Sequence, residues 1–183
     1  MELFEAIKGR RSVRNYLDSP LSEDDLKRVL DAGKWAPSWA NTQCVRFVVA
    51  RDKEAKAKLK ESLTPNNPAR DTFDVCPVVI AVVAKLGIAG CKKGEPLDDK
   101  QWHMYDCALA TQNICLAAHG LGIATVIVGA FDYAGAGQVL HLPEGYQVVC
   151  LLPMGYPRRT PDAPKRKDIS ELVSDNSFAA EVK

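Results

Sequence analysis

The run Trp102-His103-Met104-Tyr105-Asp106-Cys107-Ala108-Leu109-Ala110-Thr111-Gln112-Asn113-Ile114-Cys115-Leu116-Ala117-Ala118-His119 decides the fold. It contains neither proline nor glycine, and Gly120 stands where a helix needs its stop, so a long helix is predicted over about residues 100–119. Trp102, Met104, Tyr105, Ala108, Leu109, Ile114, Leu116 and Ala117 spread apolar groups around its whole circumference. Such a helix is either central to a core or shared with a partner subunit.

Two strands are predicted beyond it, Ile123–Val128 and Gln147–Pro153. Before it, Gly87, Gly90, Gly94 and Pro96 among charges make residues 85–99 read as a mobile loop. Val78 to Ala84 is an apolar, β-branched run without alternation, the pattern of a strand buried on both faces. Residues 52–62 read as a charged surface helix, Val45–Ala50 as a strand, and Trp35–Gln43 as a loop. Ser22 is the expected N-cap of a helix whose first turn holds Glu23, Asp24 and Asp25 and which Gly33 closes. Residues 10–16 read as extended, after a short helix at 2–8 stopped by Gly9. From Tyr156 onward the chain is too rich in proline and charge to build its own core and is expected to wrap over something else. Without repeats, low-complexity tracts or a linker, the expectation is one α+β domain over residues 1–183.

Composition narrows the function. The 183 residues carry 24 Lys plus Arg against 23 Asp plus Glu, a net charge of +1 that argues against a general nucleic-acid binder. No apolar run approaches the roughly 20 residues that span a bilayer, and the N-terminus shows no secretion signal. A soluble cytoplasmic protein is therefore expected. Cysteines 44, 76, 91, 107, 115 and 150 form no C-x-x-C pair and lie mostly in apolar stretches, as buried hydrophobes do.

Stock catalytic motifs are missing: there is no phosphate-loop, zinc-protease or nucleophile-elbow pattern. Gly120-Leu121-Gly122 follows a helix and precedes a strand, the reverse of a dinucleotide fingerprint. Basic charge, however, is uneven. Lys8, Arg10, Arg11 and Arg14 cluster near one end, and Arg158, Arg159, Lys165, Arg166 and Lys167 near the other. In an extended segment Arg10, Ser12 and Arg14 share one side, and two guanidinium forks with a hydroxyl suit a phosphate or another anion.

Five pieces in order resemble the nitroreductase family of flavoproteins. They are Arg10-Arg11-Ser12-Val13-Arg14; Pro37-Ser38-Trp39-Ala40-Asn41-Thr42-Gln43; Asp106 through Gly122; Val126-Ile127-Val128-Gly129-Ala130-Phe131; and Gly155-Tyr156-Pro157 with Arg166-Lys167. The resemblance implies a central, mostly antiparallel sheet flanked by helices, and a homodimer with an extended C-terminal tail. One FMN per subunit would lie at the subunit interface, with NADH or NADPH as electron donor. By position, Arg10 with Lys165 and Arg166 would hold the phosphate, Ser12 and Arg14 would line the ribityl and pyrimidine side, and Arg11 would join the cofactor-binding residues. Pro37, Ser38 and Asn41 would come from the other chain. Val128 and Gly129 would lie along the flavin, with the Gly129 backbone N–H reaching N5, while Asn67 and Arg70 match a pair set against the pyrimidine ring.

The residue types make sense for that chemistry. Arginine stabilises the negative charge of a reduced flavin, glycine permits close backbone approach, and the cofactor removes the need for a protein nucleophile. The implied reaction is a two-step exchange in which a nicotinamide delivers hydride to the flavin and a nitroaromatic, quinone or similar small-molecule acceptor then takes it. Two departures stand out. Cys44-Val45 follows Gln43 where the family often has Pro-Trp, and the segment between Ala84 and Trp102 is short and glycine-rich. That segment, with Trp39, Trp102, His103 and Tyr105, is expected at the open flavin face. Rival readings are a non-catalytic binder of FMN or another phosphate ligand, and a metal protein using His103 with Cys107 or Cys115 with His119. The two pairs begin 12 residues apart, about 18 Å along a helix, so they cannot share one ion; no metal site is expected.

Overall fold

The computed structural model describes residues 1–178. In chain order they form α1 (Leu3–Gly9), α2 (Glu23–Lys34), a 3-10 turn (Trp39–Asn41), β1 (Val45–Ala50), α3 (Lys53–Ser62), α4 (Thr72–Val75) and β2 (Val78–Lys85). There follow β3 (Cys91–Lys92), β4 (Glu95–Pro96), α5 (Trp102–Gly120), β5 (Ala124–Thr125), α6 (Tyr133–Val139), β6 (Tyr146–Gly155) and a second 3-10 turn (Ile169–Glu171). The main sheet runs β1-β2-β6-β5 and every pairing in it is antiparallel.

β2 explains the layering. Its side chains are buried on both faces, as its unbroken apolar run predicts. Val79, Ala81 and Val83 point into one core with Leu59, Leu63, Phe73 and Phe131; Ile80, Val82 and Ala84 point into the other with Leu26, Val29, Cys107 and Ile114. Helices α3, α4 and α6 thus cover one face of the sheet, and α2 and α5 the other. Burying each large aliphatic or aromatic side chain contributes about 1.5–3 kcal/mol, so the two cores fix the sheet between its helices.

α5 matches the long predicted helix. Asp106, Cys107, Ala110, Thr111, Ile114, Cys115 and Ala118 make its buried side, while Met104 and Tyr105 remain exposed at 38% and 59%. Its end is closed by Gly122 at φ +74°, which lets the Ile123 N–H turn back to the Ala118 carbonyl at 2.8 Å.

That closure shortens the strand predicted at 123–128. Ile123 serves the helix cap, only Ala124–Thr125 is regular strand, and Val128 makes an isolated two-bond bridge with Leu151. Gly33 does not stop α2, which runs through Lys34. A Cβ on Gly33 would lie 2.8 Å from Ile114 Cγ1 and 2.9 Å from Phe47 Cζ, so this glycine serves packing rather than capping. Gly9 likewise lies inside α1, with Arg10 as its C-cap. Residues 85–99 contain the hairpin β3–β4, turned by Lys93 at φ 52° and Gly94 at φ 85°.

The segment after α1 joins the sheet's far edge. Ser12 bridges Thr125, and the Val13 N–H donates to the Thr125 carbonyl at 3.0 Å. Three residues on, the same segment meets the exit of β6. Tyr16 bridges Pro157, the Leu17 N–H donates to the Tyr156 carbonyl at 2.9 Å, and the Arg158 N–H donates to the Asn15 carbonyl at 3.0 Å. Tyr16 is fully buried there, its hydroxyl 2.8 Å from the Val13 carbonyl and 3.0 Å from the Pro153 carbonyl.

All six cysteines are free, and only Cys91 is not buried. No helix of the described residues is long and apolar enough to cross a membrane.

Candidate functional site

Chain pairing at 12–17 and 156–158 brings the two basic clusters partly together. Ser12, Arg14 and Asn15 line a hollow of about 410 Å³ with Arg159, Pro161 and Asp162. Arg10 and Arg11 line a neighbouring one of about 230 Å³ with Val13, Cys115, His119, Thr125 and Thr160. The expected alternation along 10–14 is therefore not realised as one basic face. Arg10 falls in one hollow, Ser12 and Arg14 in the next, and the Val13 side chain is buried in the core.

Arg11 turns back on α1, donating to the carbonyls of Lys8 at 2.5 Å and Arg10 at 3.0 Å, where a cation complements the helix C-terminus. Lys165 and Arg166 lie elsewhere, in an open hollow lined also by Lys167, Asp168 and Glu171. The structure thus brings Arg159 to Ser12 and Arg14, a residue that sequence reading placed in the second cluster without giving it a role. The signal available was Gly155-Tyr156-Pro157 as a strand exit, which fixes where the next two residues emerge.

His119, read from the sequence only as a partner of Cys115 in a rival metal site, is a second residue that the structure places here. It closes α5 beside Arg10 and Arg11, its ring occupying the space that a Gly9 Cβ would take, 2.7 Å from Nε2. Burial, with Arg10 and Arg11 nearby, holds its imidazole below the ordinary histidine value.

Gly129 is exposed, and a Cβ built on it would meet nothing within 4 Å. Its position is nevertheless well defined. Val128 exchanges backbone bonds with Leu151 at 2.9 and 3.0 Å, and the Gly129 carbonyl accepts from the Tyr133 hydroxyl at 2.7 Å. On its other side the Ala130 carbonyl accepts from the Thr64 N–H at 3.2 Å and from Asn67 Nδ2 at 3.0 Å. Asn67 also accepts, through Oδ1, from the Ala69 N–H at 2.9 Å, so both ends of its amide are used within the chain. Arg70 donates to the Leu63 carbonyl at 2.8 Å. Of the pair expected against a pyrimidine ring, Asn67 braces residues 129–131, while Arg70 is tied to Leu63 and lies 3.6 Å from Glu61 Oε1.

Pro37 and Ser38 border a cavity of about 500 Å³ between the end of α2 and β1, with Leu30, Val45, Phe47 and Ala110 as its apolar lining. Ser38 orders the loop that follows. Its carbonyl accepts from the Asn41 N–H and its Oγ from the Gln43 N–H, both at 2.9 Å. Asn41 is exposed at φ 54°, a left-handed conformation that asparagine tolerates. Trp102 and Tyr105 form an edge-on pair, centroids 5.9 Å apart, around a hollow shared with Lys100 and Gln101. Among the described residues no group of three or more His, Cys, Asp and Glu side chains could hold a metal ion. Burial raises the Cys107 and Cys115 thiols well above the ordinary range, which suits packing rather than reactivity.

Comparison with known proteins adds four findings. A profile described as the nitroreductase family matches residues 7–72 and 64–156. A protein of Archaeoglobus fulgidus, provisionally named NADH dehydrogenase/NAD(P)H nitroreductase, is 33% identical over 170 residues, 88% of each chain. An NAD(P)H-dependent FMN reductase of Bacillus subtilis is 29% identical over 169 residues, 85% of this chain and 66% of its own. Among solved structures, a nitroreductase family protein of Clostridium difficile 630 superposes with a TM-score of 0.84 at 29% identity, covering 97% of this chain and all of that one.

Proposed function

This chain belongs to the nitroreductase family, and on that premise we propose that it is an FMN-dependent NAD(P)H oxidoreductase working as a homodimer. The observation that carries the proposal is Gly129. Its backbone is pinned on both sides, yet among the described residues nothing lies within 4 Å of where its Cβ would stand, so the fold itself gives no reason for a glycine. Close approach of a flat ligand supplies one.

The residues present fit a flavin phosphate and ring. Arg10 lies in the smaller basic hollow and Ser12 and Arg14 in the other, so one short segment, held to Thr125 by the Val13 N–H, lines both. Bound there, FMN would supply two-electron chemistry, taking hydride from NADH or NADPH and reducing a nitroaromatic, quinone or related small acceptor. Arg10 would hold the phosphate, with Lys165 and Arg166 approaching from the tail, and Arg11 would shape the Arg10 side by anchoring α1. Arg14 would face the electron-rich side of the ring, where a fixed cation stabilises negative charge. Val128 and Gly129 would line the ring, the Gly129 N–H donating to N5, with Asn67 keeping that segment in place. Pro37, Ser38 and Asn41 would reach the site of the neighbouring copy, which makes the site incomplete in one chain. The exposed side chains of Met104 and Tyr105, on the helix flank away from the sheet, favour a covering subunit.

The test is anaerobic addition of NADH or NADPH to purified, FMN-loaded protein. Loss of the yellow absorbance and its return with a nitroaromatic or quinone are expected. FMN binding without bleaching would leave a non-catalytic flavin binder, and no FMN binding would refute the reading. Arg10→Ala is expected to fold and to lose most FMN retention.

A further inference from the structure

We infer that Asp106 is a positioning residue for the flavin site, acting through the 38–43 turn; the inference rests on the reading above, in which that turn serves the neighbouring copy's cofactor. Asp106 is the only carboxylate in α5 and is 1% exposed. Its two oxygens take two different partners from one loop. Oδ1 accepts from the Trp39 backbone N–H at 3.0 Å, and Oδ2 accepts from the Cys44 thiol at 3.3 Å. Burial and the adjacent carboxylate push the Cys44 thiol up to about 12, so it stays protonated and remains a donor.

Between those tethers the backbone is strained. Ala40, Asn41 and Gln43 all have left-handed φ, at 45°, 54° and 49°. Asparagine tolerates this conformation, but at Ala40 and Gln43 the Cβ opposes it, and it persists there only when surrounding bonds over-determine it. Few bonds are available here to do so. Ser38 and the Thr42 N–H, which donates to the Trp39 carbonyl at 2.9 Å, supply the internal ones, while Thr42 Oγ1 in the turn and His103 Nε2 on α5 are buried with no hydrogen-bond partner among the described residues. Before the turn, the chain is fixed where Gly33 lets α2 touch Ile114 and where Asn113 Nδ2 donates to the Ala32 carbonyl at 3.1 Å. Asp106 fixes the other side. A short run held at both ends on α5 has little freedom, and Ser38 and Asn41 stand within it.

A buried carboxylate donated to by two groups is difficult to replace by packing alone, because removing it orphans both donors. The inference predicts graded effects. In Asp106→Ala both tethers are lost; in Asp106→Asn one oxygen remains for Trp39 while the charge and the thiol's acceptor are lost. Both variants and the wild type are to be prepared as dimers and titrated with FMN, with amide hydrogen exchange read on the apoproteins. Expected are a Kd for FMN about tenfold higher in Asp106→Ala and about threefold higher in Asp106→Asn, with faster exchange at Trp39 and Gln43 and native exchange in β2 and β6. Where Asp106→Ala is not recovered folded, Asp106→Asn decides alone. Wild-type FMN affinity in a folded variant overturns the inference, and so does weakened affinity with uniformly faster exchange across the core, which marks general destabilisation. Failure of the wild type itself to bind FMN would instead remove the reading beneath it.

Discussion

Asn67 Nδ2 donates to the Ala130 carbonyl at 3.0 Å, joining the loop after α3 to the exposed segment that follows Val128. The same amide accepts from the Ala69 N–H, and the Thr64 N–H reaches the same carbonyl, so one asparagine sets both its own turn and the height of residues 129–131. Asn67→Ala should lower stability by about 1–2 kcal/mol, since each intramolecular bond contributes about 1 kcal/mol net. It should also weaken FMN binding several-fold, because the Ala130 carbonyl then keeps only its bonds from Thr64. Urea unfolding with flavin titration checks both, and unchanged values in both would show that the brace carries no strain.

Gly129 offers the opposite balance. Its surroundings leave room for a side chain, so Gly129→Val should change unfolding free energy by no more than about 0.5 kcal/mol, as at other surface sites. Stopped-flow bleaching by NAD(P)H should nonetheless slow by tenfold or more. Wild-type bleaching in that variant would remove the assignment of the Gly129 N–H.

Gly33 tests packing without touching chemistry. Alanine is the better helix former by about 1 kcal/mol, but its Cβ would press on Ile114 and Phe47 at 2.8 and 2.9 Å. Overpacking of a filled core costs typically about 1–3 kcal/mol, so the clash should win. Gly33→Ala is expected to unfold at lower urea; greater stability would mean that Ile114 can swing aside.

Histidine titration sets a pH dependence. Burial lowers both His103 and His119, and Arg10 and Arg11 lower His119 further. A group that titrates lower in the folded than in the unfolded chain opposes folding once protonated. Stability should therefore be full above about pH 6.5 and decline as pH falls through the lowered values. Urea midpoints between pH 7.5 and 5.5 should fall, and less so in His119→Gln; a flat profile would contradict the burial of both rings. Phosphate at Arg10 should oppose the decline by favouring the protonated ring.

Much of the architecture was legible because single residues mark it clearly. The unbroken Val78–Ala84 run predicts a strand between two layers, Ser22 caps α2 by accepting from the Asp25 N–H, and Val45–Ala50 is found as read. What escaped lacks a local signal. α4 is four residues long, and α6 contains two glycines that mask its Asp132 cap. Gly33 and Gly9 looked like stops because tertiary packing, invisible in sequence, gives them another task. At the site, the residue types were readable while their grouping was not. Arg159 comes into the same hollow as Arg14 through the Tyr16–Pro157 bridge, residues 141 positions apart, and Lys165 with Arg166 line a different hollow from Arg10 in the single chain. Asp106 carried one clue, a lone carboxylate in an apolar helix, whose partners come from a distant turn.

The strip formed by residues 15–17 and 156–158 works like the clasp of a necklace. Because Arg14 and Arg159 sit immediately beside it, opening the clasp and dispersing the charge around Ser12 are one event. An anion resting there would lock the fastening, and an exopeptidase digesting from the tail would stall before Arg159 for as long as the anion stayed.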